Sequence, residues 1–206
     1  KLIYYGTRFS YYLFMFISIP VIFEIEPILT VWLGEVPAHT VLFTRLVLVL
    51  SLIDIFSQTL ITAQNATGNI RNYQLVVGGL YLLNLPFSYL LLKMGMIPEI
   101  TLVVAIVIAI ACMIARLCFL RYSIKLRVFD YVLKVVLNGL LVTAISLVAP
   151  WLCYHHIAAP LWQFFAVCGA SVVSSAVSIY YIGCSSSERN MVNSYAVKFY
   201  HKFLHR

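Results

Sequence analysis

Long apolar runs separated by short polar gaps set the pattern of this chain. Six runs, near residues 8–23, 41–63, 74–92, 100–118, 135–154 and 161–182, are long enough or nearly so to cross a hydrocarbon layer at about 1.5 Å per residue. The apolar part of the first, Tyr11 to Phe23, is the shortest; it spans if it starts near Thr7 or Arg8 and Pro20 bends only its last turn. The pattern predicts an all-α, polytopic transmembrane helix bundle over residues 1–185. Beyond it, over 186–206, Met191, Tyr195, Phe199 and Phe203 recur at helical spacing while Lys198, Lys202 and Arg206 fall on another face. That segment reads as a basic amphipathic tail lying on the cytoplasmic leaflet.

The gaps carry their own signals. Glu24, Glu26 and Pro27 lead into the short apolar stretch Ile28 to Gly34, which carries Trp32 and reads as a partial helix at the outer interface. Gln64 to Asn69 is a tight polar turn, Gly68 and Asn69 being tolerant of positive φ. Asn65-Ala66-Thr67 matches a glycosylation sequon but falls on the side expected to be cytoplasmic, where it is silent. The basic stretch from Arg116 to Lys134 includes Ile124, Leu126 and Phe129 and is expected to lie along the inner surface as a loop with a short amphipathic segment.

Composition agrees with the pattern: 63% of residues are hydrophobic and 10% charged, which excludes an ordinary soluble domain. Lys1, Arg8, Arg71, Arg116, Arg121, Lys125, Arg127, Lys134, Arg189, Lys198, Lys202 and Arg206 fall in gaps on one side; Arg45 and Lys93 fall on the other, beside Glu24, Glu26, Glu35 and Glu99. The positive-inside rule then places both termini in the cytoplasm. The net charge of +7 reflects loops lying against anionic membrane lipid and points to no nucleic-acid partner. The opening stretch has no plausible cleavage site for a signal peptide. A start at Lys1, almost directly at a span, reads as a fragment of a longer protein.

Candidate chemistry is sparse. Cys112, Cys118, Cys153, Cys168 and Cys184 lack the paired spacing of a metal site and read as packing residues. His155 and His156 are adjacent, point apart and have no evident third ligand. No phosphate-binding loop, zinc-protease motif, nucleophile elbow or clustered Asp pair occurs, so a transporter with no catalytic residue and no cofactor is expected, with an intramembrane enzyme built from dispersed residues left open.

The second span is the most polar. Asp54, near mid-span, shares a helix face with Gln58 four residues on, and either lines a substrate or ion path or bonds a neighbouring helix. Arg45 lies nine residues before Asp54, about 14 Å along the axis, so the two cannot pair within this helix; it either faces the path or snorkels outward. In the third span Pro86 is expected to bend the helix, with Asn84 close enough to satisfy the freed backbone. The fourth span is plain and branched and reads as packing surface. Small residues from Gly169 to Ala176 permit close helix approach in the sixth.

Three stretches carry a resemblance: Pro27-Ile28-Leu29 with Trp32-Leu33-Gly34, the turn Ala63 to Gln74, and Leu83-Asn84-Leu85-Pro86-Phe87-Ser88 running on to Gly95. Together they resemble the bacterial polysaccharide-export flippases of O-antigen and capsule type, in the multidrug/oligosaccharidyl-lipid/polysaccharide exporter superfamily. The likeness covers roughly residues 1–121, and the last two spans by topology alone. It implies part of the second lobe of a MATE-like exporter fold in the bacterial cytoplasmic (inner) membrane, with the N-terminal lobe missing. It also implies flipping of polyprenyl-diphosphate-linked oligosaccharide repeat units, alongside a polysaccharide polymerase and glycosyltransferases, with sodium or proton coupling as in the drug-extruding relatives. Arg45, Asp54, Gln58 and Asn84 are the substrate-path candidates, chosen by span position, and Pro86 the helix kink. The alternatives are an ion-coupled multidrug or metabolite antiporter of the same fold and a non-transporting membrane scaffold of glycan assembly.

Overall fold

The computed structural model describes residues 2–68, 70–156, 160–184 and 189. The amphipathic tail expected over 186–206 lies outside the described residues apart from Arg189, as do Asn69 of the polar turn and 157–159 after the paired histidines. Among the described residues the regular structure is all helical: α1 (Leu2–Phe23), α2 (Ile25–Leu33), α3 (Thr40–Ala66), α4 (Arg71–Leu82), α5 (Asn84–Lys93), α6 (Ile100–Ile124), α7 (Val128–Tyr131), α8 (Asn138–His156) and α9 (Pro160–Ser178). Two segments of wider π turn, Val132–Leu137 and Ile179–Gly183, join α7 to α8 and extend α9. Counting continuous runs, six helices are long and apolar enough to cross a membrane. The protein is a multi-pass helical membrane bundle.

The first helix begins at Leu2, well before Thr7, so Pro20 costs it no span length. Short α2 leaves Val31 and Trp32 exposed beside α1, as an interfacial helix does. The third run is interrupted at Leu83, in the turn before Pro86, which has no N–H to bond the Leu82 carbonyl. Pro86 sits in the first turn of α5, where a missing N–H costs least. Asn84 Oδ1 accepts the Ser88 hydroxyl at 3.2 Å, so it serves its own helix. The basic stretch is mostly helix: α6 runs on to Ile124 and stops where Lys125 turns left-handed (φ 51°). The Leu126 N–H closes that end on the Leu120 carbonyl at 3.3 Å.

The spans stack in a row, third against fourth, fourth against second, second against first, with the fifth and sixth packed on the first and on each other. The main core joins α1, α3, the α6 end and the α7–α8 run through Tyr11, Met15, Phe56, Leu60, Leu120, Tyr131 and Val142. Tyr11 stacks on Phe56 with ring centroids 4.3 Å apart, and Gly139 lets α8 reach this pair. A Cβ at that glycine would stand 3.0 Å from Phe56 and 3.1 Å from Tyr11. Tyr131 donates to the Phe56 carbonyl at 2.6 Å and Tyr11 pairs with Thr143 at 2.7 Å, so the buried phenols are satisfied. On the far side the Ser174 hydroxyl donates to the Ser146 carbonyl at 3.1 Å, binding α9 closely to α8 through small residues.

The bundle has two chemically distinct ends. Tyr4 near the start of α1 donates to the Arg127 carbonyl at 3.2 Å, placing the first residues beside the basic linker. His39 before α3 pairs with Glu99 before α6, at the end that also carries Glu24 and Glu26. These are called the basic and acidic ends below.

Candidate functional site

Helix α6, plain by sequence, is the centre of the membrane-embedded chemistry. Arg116 belongs to this helix, eight residues before its end, and is 3% exposed. It is therefore a buried span residue and not one of the loop cations. Its Nε donates to the Tyr73 hydroxyl and its Nη2 to the Tyr81 hydroxyl, both at 3.3 Å, and its carbon Cζ lies 5.8 Å from the Tyr81 ring centre. Its third nitrogen, Nη1, is buried without a partner. A guanidinium presents five donors in a fixed fork, and an unfilled buried one is costly.

Asp54 reaches the same seam from α3. It is partly buried and lies in the field of Arg116, without direct ion-pair contact. At one turn's remove on α3, the Ser57 hydroxyl is buried and unbonded. Cys112, one turn before Arg116, turns its sulfur toward the Val77 carbonyl of α4 at 4.0 Å. The wall behind Arg116 is the apolar cluster of Tyr73, Val77, Ile108 and Cys112 that fixes α4 on α6. The seam thus has one carboxylate, one guanidinium with a free donor and two phenols inside an apolar layer. Its unfilled donor lies buried among these groups, and the seam carries no nucleophile–base arrangement.

The sequence candidates do not all meet there. Asp54 and the exposed Gln58 share a face of α3, but Arg45 lies on the opposite face. Its Nε donates to the Ile22 carbonyl at 3.1 Å and closes the end of α1. Asn84 stands on α5, bonded within it, and Pro86 on the next turn. Arg116, Tyr73 and Tyr81 escaped the sequence reading. The available signal was the lack of any helix breaker from Ala115 to Ile124, which carries the helix two turns past Arg116.

The acidic end holds two further carboxylates of note. Glu99 is almost wholly buried and its Oε2 has no partner, while His39 pairs with its Oε1. Glu24, between α1 and α2, is 3% exposed and its Oε1 has no partner; burial pushes its carboxyl above the ordinary range. No group of three or more histidine, cysteine or acidic residues could hold a metal ion among the described residues.

In comparisons with known proteins, no family model, no curated protein and no solved structure matches the chain. The seam's chemistry and the local sequence resemblance are therefore what bears on function.

Proposed function

We propose that this chain is part of a MATE-like exporter that flips polyprenyl-diphosphate-linked oligosaccharide repeat units across a bacterial cytoplasmic membrane, with both ends of the segment cytoplasmic. The observation that carries the reading is the buried Arg116, with an unfilled donor, beside Asp54 and two tyrosine hydroxyls inside a membrane-spanning layer. Ionisable groups at that depth are expensive and mark paths for polar cargo. A diphosphate crossing the bilayer needs a cation with open donors, and its sugars need hydroxyl and amide partners, which the tyrosines and Gln58 supply. Arg45, which closes the end of α1, and Asn84, bonded on α5, stay among the path candidates by position and hold weaker claims than Arg116. The resemblance of the Ala63–Gln74 turn and the Leu83–Gly95 stretch to the polysaccharide exporters supplies the cargo class.

Asp54 favours a second reading. A half-buried carboxylate in the field of a cation is also what a sodium- or proton-coupled antiporter uses. Both readings are tested in cells lacking the exporter. Restoration of surface polysaccharide by the intact protein supports flipping. Gradient-driven efflux of small cations with no restoration replaces it by the antiporter. If Asp54→Asn and Arg116→Leu both leave export intact while removal of the segment after Arg189 disrupts it, the chain is a scaffold and the transport reading fails.

A further inference from the structure

The outward face of α3 changes character halfway along the helix. Ser51, Asp54, Gln58, Thr62 and Asn65 recur at spacings of three and four residues and so line one face. The opposite face carries Leu52, Phe56 and Leu60 into the aromatic core. Ser51 and Asp54 are half-buried, whereas Gln58, Thr62 and Asn65 are exposed. Thr59, beside them, meets Thr7 near the start of α1, which puts this half of α3 at the basic end. From Asp54 to Asn65 the stripe runs about 16 Å, half the thickness of a hydrocarbon layer. Toward the acidic end the same line passes to Val47, exposed at 45%. Thr44 follows, half-buried, with its hydroxyl on the Thr40 carbonyl at 2.8 Å.

The outward faces of the neighbouring spans differ from it. On α6, Val103, Val107, Ile110 and Ile114 are exposed, and on α1 Phe9, Leu13 and Ile17, as suits helices that meet acyl chains. On α3 the Ser51 and Thr62 hydroxyls bond their own helix, at the Val47 carbonyl (2.8 Å) and the Gln58 carbonyl (3.1 Å). The Gln58 amide and the Asp54 carboxylate have no such way out, and lipid offers them no partner. Arg116 acts on Asp54 through its field alone, without direct ion-pair contact. Polar side chains at this depth face a water-filled space or the polar surface of another helix. A helix crossing the whole layer would call for a stripe of full length. This one is confined to half the span and opens at the basic end, which fits water entering from that side.

We infer that this half of α3 lines an aqueous inlet, by which water and small hydrophilic solutes reach Asp54 and Ser51 from the basic end, along Asn65, Thr62 and Gln58, and go no further. Val47 ends it, and beyond Val47 the pairing of His39 with Glu99 ties the acidic ends of α3 and α6 together. The inference rests on the reading of Asp54 as a residue of the transport path, and adds the side from which that residue is reached.

The test labels single cysteines in the full chain with a small, permanently charged methanethiosulfonate, applied to sealed membrane vesicles of either orientation. Peptide mass spectrometry reads each site separately, so the native cysteines do not interfere. Arg127→Cys, at a side chain 86% exposed, and Glu35→Cys mark the basic and acidic sides. A thiol in apolar surroundings loses thiolate, about tenfold for each unit its pKa rises. Gln58→Cys and Thr62→Cys should therefore react at least about tenfold faster than Val47→Cys and Val107→Cys, and only from the side that labels Arg127→Cys. Gln58→Leu with Thr62→Leu makes the inlet apolar and should slow Ser51→Cys by about tenfold, with Asn65→Cys at its mouth unchanged. If Gln58→Cys and Thr62→Cys react as slowly as Val107→Cys, lipid or protein covers the stripe and the inlet is overturned. Reaction of Val47→Cys as fast as Gln58→Cys, or labelling of Gln58→Cys from the acidic side, overturns its closed end and with it the inference. Export is scored separately. Inert cysteines with export still dependent on Asp54 sink the inlet alone; reactive cysteines with export indifferent to Asp54 and Arg116 sink the flipping proposal alone.

Discussion

The aromatic core between α1, α3 and α8 and the polar seam between α3, α4 and α6 share helix α3 and differ in almost every other respect. In the core, Tyr11, Phe56 and Tyr131 are closely packed and their hydroxyls have partners at 2.7 Å and 2.6 Å. In the seam, Arg116 keeps an unfilled nitrogen, Ser57 an unbonded hydroxyl, and the third span beyond it is the least buried of the six. Satisfied polar groups in a filled core fix helix positions. Unsatisfied ones facing a thinly packed helix are costly unless something else completes them. One face of α3 builds the protein, and the other faces the work we assign to it.

Four substitutions break or sharpen that contrast. The largest structural effect is expected in the core. Gly139→Val puts a branched side chain where even a Cβ stands 3.0 Å from Phe56, and unfolding in detergent should report a loss of about 1–3 kcal/mol or no folded protein. Next is Arg116→Leu, which leaves the buried Tyr73 hydroxyl unbonded and Asp54 without its neighbouring cation, so stability should fall by about 1–3 kcal/mol. Export should fall by about tenfold or more if Arg116 supplies a charge-assisted bond to the cargo, as surface polysaccharide per unit of membrane protein would show. Tyr131→Phe loses the bond to the Phe56 carbonyl and should cost about 1 kcal/mol while leaving export alone.

The smallest effect is expected at Glu24, whose carboxyl is raised by burial. The folded state then holds its proton more tightly than the unfolded chain. Stability should fall as pH rises from the ordinary carboxylate range through the raised one. Glu24→Gln should abolish that fall and raise the melting temperature by a few degrees at neutral pH, with no gain at pH values below the ordinary carboxylate range.

Much of the scaffold was legible because hydrophobic length is a physical requirement of the bilayer. The six spans, the helical face shared by Asp54 and Gln58, and the short helix α2 with its exposed Trp32 follow from spacing and composition. Charge counting misread Arg116, because a cation near the end of an apolar run looks like a loop residue until the helix continues past it to Ile124. Its tyrosine partners come from a different span, over forty residues away in the case of Tyr73, and no local rule joins them. The π turns were equally hidden, since a periodicity reading assumes about 3.6 residues per turn throughout. Arg45 was placed by depth alone, and depth does not say which neighbour a side chain bonds; here it is the end of α1.

The most direct test of the account compares Arg116→Leu with the wild type in one experiment, reading thermal stability of the purified full chain and surface polysaccharide in cells at matched membrane levels. The account predicts a folded protein whose melting temperature is lowered by about 2–12 °C and export reduced to about a tenth or less. Export at the wild-type level with equal protein would remove the seam from the transport path and leave Arg116 as packing.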